Sequence, residues 1–349
     1  MMLPSLLISL WIGWLLFLLT GNFRLQRRWL QSSTPNPNSP LPSLSWLLPF
    51  RNEANNIQRF FAHTPPHRKS LFLWINDHSS DSGPFLLEQQ QATLFQNDGQ
   101  GKKDALITGW KNNPAEWSLH TDADVEWTEA CMVDWEKALN QVSDQTILVV
   151  GLPRLMGNAL DAEDFRANMF TAAGMAGWGF PFLCSGAALA VRSKRLSDPL
   201  RSCLGPGSSG DDVFLLHHVI SHFGTHSVET LPCPNLKVRG AKTLTLALKQ
   251  RLRWAGKSIL FRNPAAISVS LFIYGLHAAG LLFLLLPGSL WQKILLIALK
   301  TMADLLLSGG GTRGIFQRLT LSLLYWLYIP LLPTLAWICM PWREAKKVW

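Results

Sequence analysis

The sequence predicts an α/β domain built on a largely parallel sheet and carried by apolar helices that cross a membrane. From Leu44 to about Ala241 short apolar runs alternate with helix-like segments, the pattern of strand-helix-strand units sharing one sheet. Such sheets bind ligands beyond the carboxyl ends of their strands, and the polar clusters of this chain fall there. Toward both ends lie charge-free apolar stretches long enough to span ~30 Å of hydrocarbon as helices.

Composition agrees. Of 349 residues 48% are hydrophobic and only 16% charged, short of the ~25% charge of an average soluble domain. Disordered, collagen-like and disulfide-scaffold classes are excluded, because the five cysteines are scattered with no Cys-x-x-Cys pair. They suit a reducing, cytoplasm-facing location. Lys and Arg exceed Asp and Glu by 32 to 23, and sixteen Trp stand against three Tyr. That balance points to anionic lipid headgroups and phosphorylated substrates as partners, with no nucleic acid expected.

Residues 1–23 form the first element, a transmembrane anchor whose core is Leu3 to Thr20. Arg24, Arg27 and Arg28 follow the apolar run instead of preceding it, which argues against a cleaved signal peptide and puts residue 24 onward in the cytoplasm. Residues 24–43 read as a basic flank and a linker, Ser32 to Ser43 being rich in Pro, Asn and Ser. Residues 44–242 are the cytoplasmic domain. Strands are expected at Leu44 to Pro49, Leu71 to Ile75, Ser118 to Thr121 and Thr146 to Leu152. Helices fall at Glu53 to His63, Pro84 to Phe95 and Lys103 to Lys111.

In residues 243–263, Leu244, Leu248, Leu252 and Ile259 recur at helical spacing among Lys249, Arg251, Arg253, Lys257 and Arg262. This is a basic amphipathic helix suited to the cytoplasmic membrane face. Residues 264–342 form a C-terminal membrane region, with spans at Pro264 to Pro287 and Leu319 to Trp342, followed by a basic tail, 343–349. Between the spans, Leu290 to Ser308 has two readings. Its Lys293, Lys300 and Asp304 fall within ~40° on a helical wheel, as in a bundle helix with Lys300 paired inward to Asp304, or in an interfacial helix lying flat.

Five clusters carry chemistry. Asp122-Ala123-Asp124 follows a strand, where one or two carboxylates and a substrate's phosphates can hold Mg²⁺ or Mn²⁺, although a solvated turn gives the same pattern. Gly210-Asp211-Asp212 ends a Gly- and Ser-rich loop before the helix-like Val213 to His222, suiting either a helix cap or a general base. Asn76 to Asp81 offers short polar side chains for a base or ribose, and Gly101-Lys102-Lys103 offers ammonium charge for phosphate. His218, His222 and His226 are spaced four apart, but Gly224 is expected to end the helix before the third, against a metal site. Cys184, beside Ser185-Gly186, has no evident base and reads as packing.

The order of these segments resembles the family 2 glycosyltransferases, inverting enzymes of GT-A fold that include cellulose, hyaluronan and ceramide-glucosyl synthases. The likeness runs from about Leu44 to Phe261. Leu48-Pro49-Phe50-Arg51-Asn52-Glu53 matches the opening strand and turn, Asn76 to Asp81 the nucleotide segment, and Lys102 with Ala105-Leu106 the next block. Asp122-Ala123-Asp124 matches the metal motif, Ser208-Ser209-Gly210-Asp211-Asp212 the base motif, and Gln250-Arg251-Leu252-Arg253-Trp254 the Gln-x-x-Arg-Trp motif.

The resemblance implies a GT-A domain with one N-terminal and two to three C-terminal transmembrane helices in the inner or plasma membrane. It implies Arg51, Glu53, Asn76, Asp77, Lys102 and Asp122 as nucleotide and donor contacts, and Asp122 with Asp124 as holders of a divalent metal, Mg²⁺ or Mn²⁺. Asp212, beside Asp211, would be the base, and Gly186, Gln250, Arg253 and Trp254 would line the acceptor and diphosphate side. The expected reaction moves a sugar from a nucleotide sugar, in the first place a UDP-sugar, to a hydroxyl of a lipid or glycan acceptor. Two departures stand out: Asn76 replaces the first aspartate of the nucleotide segment, and Asp211 the usual glutamate before the base. A polysaccharide synthase subunit and a catalytically silent scaffold are the rival expectations.

Overall fold

The computed structural model describes residues 2–31, 43–157, 159–196, 199–207, 210–241, 243–307 and 315–339. Most of the expected linker, Ser208-Ser209 of the base motif, and the basic tail lie outside the described residues. The strands are β1 (Leu44–Phe50), β2 (Phe72–Asn76), β3 (Thr93–Gln96), β4 (Trp117–His120), β5 (Val125–Glu126), β6 (Leu148–Met156), β7 (Leu189–Val191) and β8 (Val228–Arg239). They form one sheet in the order β3-β2-β1-β4-β7-β6-β8-β5. The half from β3 to β4 is parallel throughout, and β7 runs antiparallel between β4 and β6. The fold is GT-A: a mostly parallel, helix-covered sheet.

All seven residues of β1 are buried. Successive side chains on a strand point to opposite faces, so Trp46, Leu48 and Phe50 enter one core and Leu47 the other. Both faces are therefore covered by helices, as parallel sheets require. The helices are α1 (Met2–Gln31), α2 (Ala54–His63), α3 (Gly83–Gln89), α4 (Lys102–Asn112), α5 (Glu129–Gln141), α6 (Ala159–Gly177), α7 (Leu200–Cys203), α8 (Asp211–Phe223), α9 (Leu244–Lys257), α10 (Pro264–Leu285), α11 (Leu290–Leu307) and α12 (Ile315–Cys339). Where a helix was expected to run to Phe95, α3 stops at Gln89 and β3 begins at Thr93. The short β3 covers the sheet edge through ladder bonds with β2, a pairing that outweighs the local helical spacing.

Among the described residues three helices are long and apolar enough to cross a membrane: Ser5–Gln31, Pro264–Leu285 and Leu319–Ala336. The first does not end at Phe23. It continues as helix through the basic flank, because Arg24 donates to the Gly177 carbonyl at 3.2 Å and stacks on Trp178, while Arg28 pairs with Glu229 at 3.7 Å. The same helix meets α6 at Gly21, Gly174 and Gly177, where a Cβ on Gly21 or Gly177 would strike the other helix's backbone. Small residues permit such close approach.

Helix α11 follows the inward-paired reading. Lys300 is wholly buried, pairs with Asp304, donates to the Ser322 carbonyl at 2.7 Å and faces the Tyr325 and Trp326 rings. Ser322 Oγ also donates to Asp304, so Lys300 and Asp304 are spent on α12, while Lys293 donates to the Leu284 and Leu286 carbonyls at 3.0 and 2.6 Å. The pair makes a prediction. Lys300→Met should cost about 3–5 kcal/mol by leaving Asp304 uncompensated, and adding Asp304→Leu should recover most of it. Thermal melts of the wild type and the two variants in detergent measure this; equal losses in single and double variants would refute it.

Candidate active site

Because β1, β2 and β4 are parallel, their carboxyl ends open on one side, delivering Arg51, Asp77 and Asp122 together. They line a cavity of about 590 Å³ that also receives residues from α6, α8, α9, α10 and α12. The turns after β1 and β2 are interlocked. Asn52 and His78 both hold left-handed backbone, at φ 57 and 55, and the Asn52 side-chain oxygen accepts from Ser80 N at 2.8 Å. Asp77 is buried; its Oδ1 accepts from Asn97 Nδ2 at 2.7 Å and Gly101 N at 2.8 Å, and Arg51 lies 4.0 Å from Oδ2. Burial raises the Glu53 carboxyl above its ordinary range, against a 2.6 Å bond from Asn56.

Asn76 corrects an expectation. It does not line the cavity: its amide donates to Gln96 at 2.9 Å and its oxygen accepts from Ser79 N at 2.9 Å. Its side chain ties β2 to β3 through Gln96 and shapes the turn through Ser79 N. The other expected donor, metal and acceptor residues all line the one cavity.

Lys102 and the acids organise its polar end. Lys102 Nζ donates to Asp122 Oδ1 at 2.6 Å and stands 3.9 Å from Asp211 Oδ2. Burial alone would lower this ammonium's pKa, but the two carboxylates outweigh it and hold it well above the ordinary lysine value. Burial likewise opposes ionisation of Asp211, yet Lys102, His120 and Lys103 keep it below the usual carboxylate range. For Asp124 the balance reverses: burial and the Asp122 carboxylate push it up to about 7, and its Oδ1 is buried with no hydrogen-bond partner among the described residues. An orphaned carboxylate oxygen beside a second carboxylate fits a hard cation. No third His, Cys, Asp or Glu joins them into a metal cluster among the described residues, so a cation there would need a ligand's own oxygens.

Asp212 lies in the first turn of α8, which Asp211 opens, the chain entering through Gly210 in left-handed conformation at φ 82. Its Oδ2 accepts from Gly186 N at 2.9 Å and its Oδ1 from Val213 N at 2.8 Å. A carboxylate has about four lone-pair sites, so both oxygens retain capacity for a further donor. Burial and the adjoining Asp211 raise its pKa, against Lys257. Lys103 fixes the approach to α8 by donating to the carbonyls of Gly205 at 3.0 Å and Pro206 at 2.9 Å. His218 and His222 stack 4.0 Å apart, and His226 lies beyond Gly224 in the following short helix.

Sequence reasoning missed one cluster. Arg251 is buried, not on a lipid-facing surface; it pairs with Asp161 and, at 3.0 Å, with Asp164 of α6. Asp164 in turn accepts from Tyr325 Oη of α12 at 2.9 Å. The expected interfacial helix is therefore locked into the domain, and Lys257 is buried as well. The signal available in sequence was Asp161 and Asp164 at helical i, i+3 spacing, but nothing local connects them to a residue ninety positions away. Beyond α9 the cavity becomes apolar, lined by Phe182 and Leu183, by Val269 and Ile273 of α10, and by Ile329 and Leu332 of α12.

The fold is shared with a mannosyltransferase, PcManGT from Pyrobaculum calidifontis, solved in complex with GDP-Man and Mn²⁺. At 16% identity and a TM-score of 0.55 the likeness covers 98% of this chain and 100% of that one. Glucosyl-3-phosphoglycerate synthase from Mycobacterium tuberculosis is a more distant structural match, with a TM-score of 0.45, 16% identity and coverage of 61% and 78%. No protein-family model matches the sequence, and no curated protein does.

The Lys103 bridge yields a prediction. Lys103→Met leaves two carbonyls without their donor, so amide hydrogen exchange over 205–216 should quicken by about tenfold while α4 stays protected. Unchanged exchange would mean that the loop is held by other contacts.

Proposed function

We propose that the chain is a membrane-anchored, inverting family 2 glycosyltransferase that transfers a hexose from a nucleotide sugar, first a UDP-sugar, to a hydroxyl of a membrane lipid. One observation carries the reading: a single cavity joins the acid-lined end of the sheet, with Asp122, Asp124 and Asp212, to an apolar arm between α10 and α12. The first half suits a nucleotide diphosphate and the second a lipid chain. Arg24, Arg27 and Arg28, beyond the first apolar core, support a cytoplasmic domain in the inner or plasma membrane.

Arg51 and Asp77 bind the nucleoside end, the buried carboxylate accepting from base or ribose donors. Lys102 bridges Asp122 and Asp211 at 2.6 and 3.9 Å, so its charge is already placed where phosphate oxygens arrive. Asp122 and Asp124 hold a divalent metal, Mn²⁺ as in the mannosyltransferase complex or Mg²⁺; when bound it neutralises charge developing on the leaving diphosphate. Asp212 accepts the proton of the attacking hydroxyl, and its raised affinity for protons suits that task. The oxygen's electron pair forms the new bond to the anomeric carbon as the bond to diphosphate breaks on the opposite face. One displacement inverts the centre, so an α-linked donor gives a β-product. Gln250, Arg253 and Trp254 line the acceptor and diphosphate side; Gln250 Oε1 is buried without a hydrogen-bond partner among the described residues, open to a substrate hydroxyl.

Membranes carrying the wild type or Asp212→Asn, incubated with labelled UDP- and GDP-sugars and Mn²⁺, test the reading. Label should enter the organic-soluble fraction and fall ~10²- to 10⁴-fold in the variant, with donor binding retained. Label in polymer would favour a polysaccharide synthase. Full activity in Asp212→Asn would remove the base, and metal-independent or absent donor binding would favour a silent scaffold.

A further inference from the structure

The ammonium of Lys102 stands where a divalent cation would have to compete with it. Lys102 opens α4, and the turn before it is fixed: Gly101, at φ 84, donates its N–H to Asp77 Oδ1 at 2.8 Å, and its carbonyl accepts from Asn97 Nδ2 at 3.3 Å. The backbone is pinned, whereas the side chain is a flexible four-carbon stem ending in three donors. Its Nζ donates to Asp122 Oδ1 at 2.6 Å, with Asp211 Oδ2 at 3.9 Å as a second carboxylate within reach.

Asp122 is thereby the carboxylate with two claims on it. With Asp124 it is the candidate metal holder, yet its Oδ1 is already taken, while Asp124 Oδ1 has no hydrogen-bond partner among the described residues. The other cations of this end are engaged elsewhere. Lys103 Nζ donates to the Gly205 and Pro206 carbonyls, Arg51 lies by Asp77, and Arg253 and Lys257 face Asp211 and Asp212 from α9. A divalent cation on Asp122 would meet the Lys102 ammonium on the same carboxylate, and like charges at that separation repel. A metal arriving alone has two carboxylates to gain and an ammonium against it. A nucleoside diphosphate changes both sides of the balance, because its oxygens serve as hard ligands for the metal and as acceptors for the ammonium that leaves Asp122.

We propose that Lys102 is a placeholder for the metal: it closes Asp122 to a divalent cation until a nucleoside diphosphate draws the ammonium away, so that metal and donor enter as a pair. The inference rests on the metal and donor assignments above and adds an order to them. Coupling of this kind is reciprocal, so the metal raises affinity for the nucleotide by the same factor. When the diphosphate leaves, Lys102 returns to Asp122 and the metal loses its place.

Titration of the full chain in neutral detergent with free Mn²⁺, followed by electron paramagnetic resonance, tests this, with Asp124→Asn as the blank for Mn²⁺ held by other acids. Wild type saturated with UDP or GDP should bind Mn²⁺ ~tenfold or more tightly than wild type alone. Lys102→Gln should bind Mn²⁺ alone ~tenfold more tightly than wild type does, and the gain from nucleotide should shrink by about the same factor. Lys102→Arg, which keeps the charge, should bind Mn²⁺ alone as weakly as wild type. Retained binding of nucleotide with Mn²⁺ shows a variant to be folded, and Lys102→Met is the second neutral replacement if Lys102→Gln is not. Unchanged affinity for Mn²⁺ alone in the folded neutral variant, with nucleotide binding weakened, overturns the inference and leaves Lys102 a phosphate contact in an intact glycosyltransferase reading. Tighter Mn²⁺ binding by Lys102→Arg as well as by Lys102→Gln also overturns it, since charge is then not what keeps the metal out. Equal wild-type affinity for Mn²⁺ with and without nucleotide overturns it together with the metal-dependent donor reading.

Discussion

A guanidinium cannot be buried without acids to meet it, and that requirement fixes the orientation of α9. Arg251 is 2% exposed and finds Asp161 and Asp164 on α6. Only one rotation of α9 satisfies this, and at 100° per residue it turns Gln250, Arg253, Trp254 and Lys257 onto the cavity. Asp164 also takes the Tyr325 hydroxyl, so the same ion pairs seat α12 against the domain. Removing one partner from such a group costs about 3–5 kcal/mol, whereas an apolar replacement of the whole set is often neutral. What the network supplies is therefore geometry: it holds a helix of the apolar C-terminal region and a wall of the polar site in one register.

The acids at the sheet edge obey a similar economy. Asp77 is buried with two donors on Oδ1, Asp211 faces Lys102, and Asp212 receives two backbone N–H groups. Each is compensated within the protein. Asp124 differs: Asp77 Oδ2 also lacks a hydrogen-bond donor but has Arg51 at 4.0 Å, whereas Asp124 Oδ1 has neither donor nor ion pair among the described residues, and burial and Asp122 both disfavour its charge. A group left in that condition is stabilised only when something positive arrives, which is why the Asp122–Asp124 pair, alone among these acids, reads as a place for a ligand-borne cation.

Much of this was legible in the sequence because it is local. The parallel strands β1, β2 and β4 announce themselves as short apolar runs, and each is followed within a few residues by the polar side chains it delivers. The order of the motifs groups Arg51, Asp77, Lys102, Asp122 and Asp212 as one expected site, and all five line the same cavity. What was illegible is long-range. Arg251 reads as one more cation on a basic helix until its partners, some ninety residues upstream, are brought against it. The first helix reads as ending at Phe23 because the Gly177 carbonyl that receives Arg24 belongs to another helix. Asn76 reads as a ligand group because a strand-end amide looks the same whether it meets a nucleotide or, as here, Gln96.

The apolar half of the cavity needs an explanation independent of the chemistry. A glycosyl donor is polar throughout, and its diphosphate would gain nothing from Phe182, Val269, Ile273 or Leu332. Apolar surface lining a cavity costs about 25 cal/mol for each Å² left in contact with water, so a wall of this kind is favoured only if an apolar group covers it. A growing glycan would need the opposite lining, with hydroxyl partners and aromatic platforms continuing past Trp254. Past Lys257 and Phe261 the lining is mainly aliphatic, with Ser270, Tyr274 and Tyr328 interspersed, on two helices long and apolar enough to cross a bilayer. The lining passes from Lys257, the last residue of α9, through a short 3-10 turn to Phe261 and then to α10.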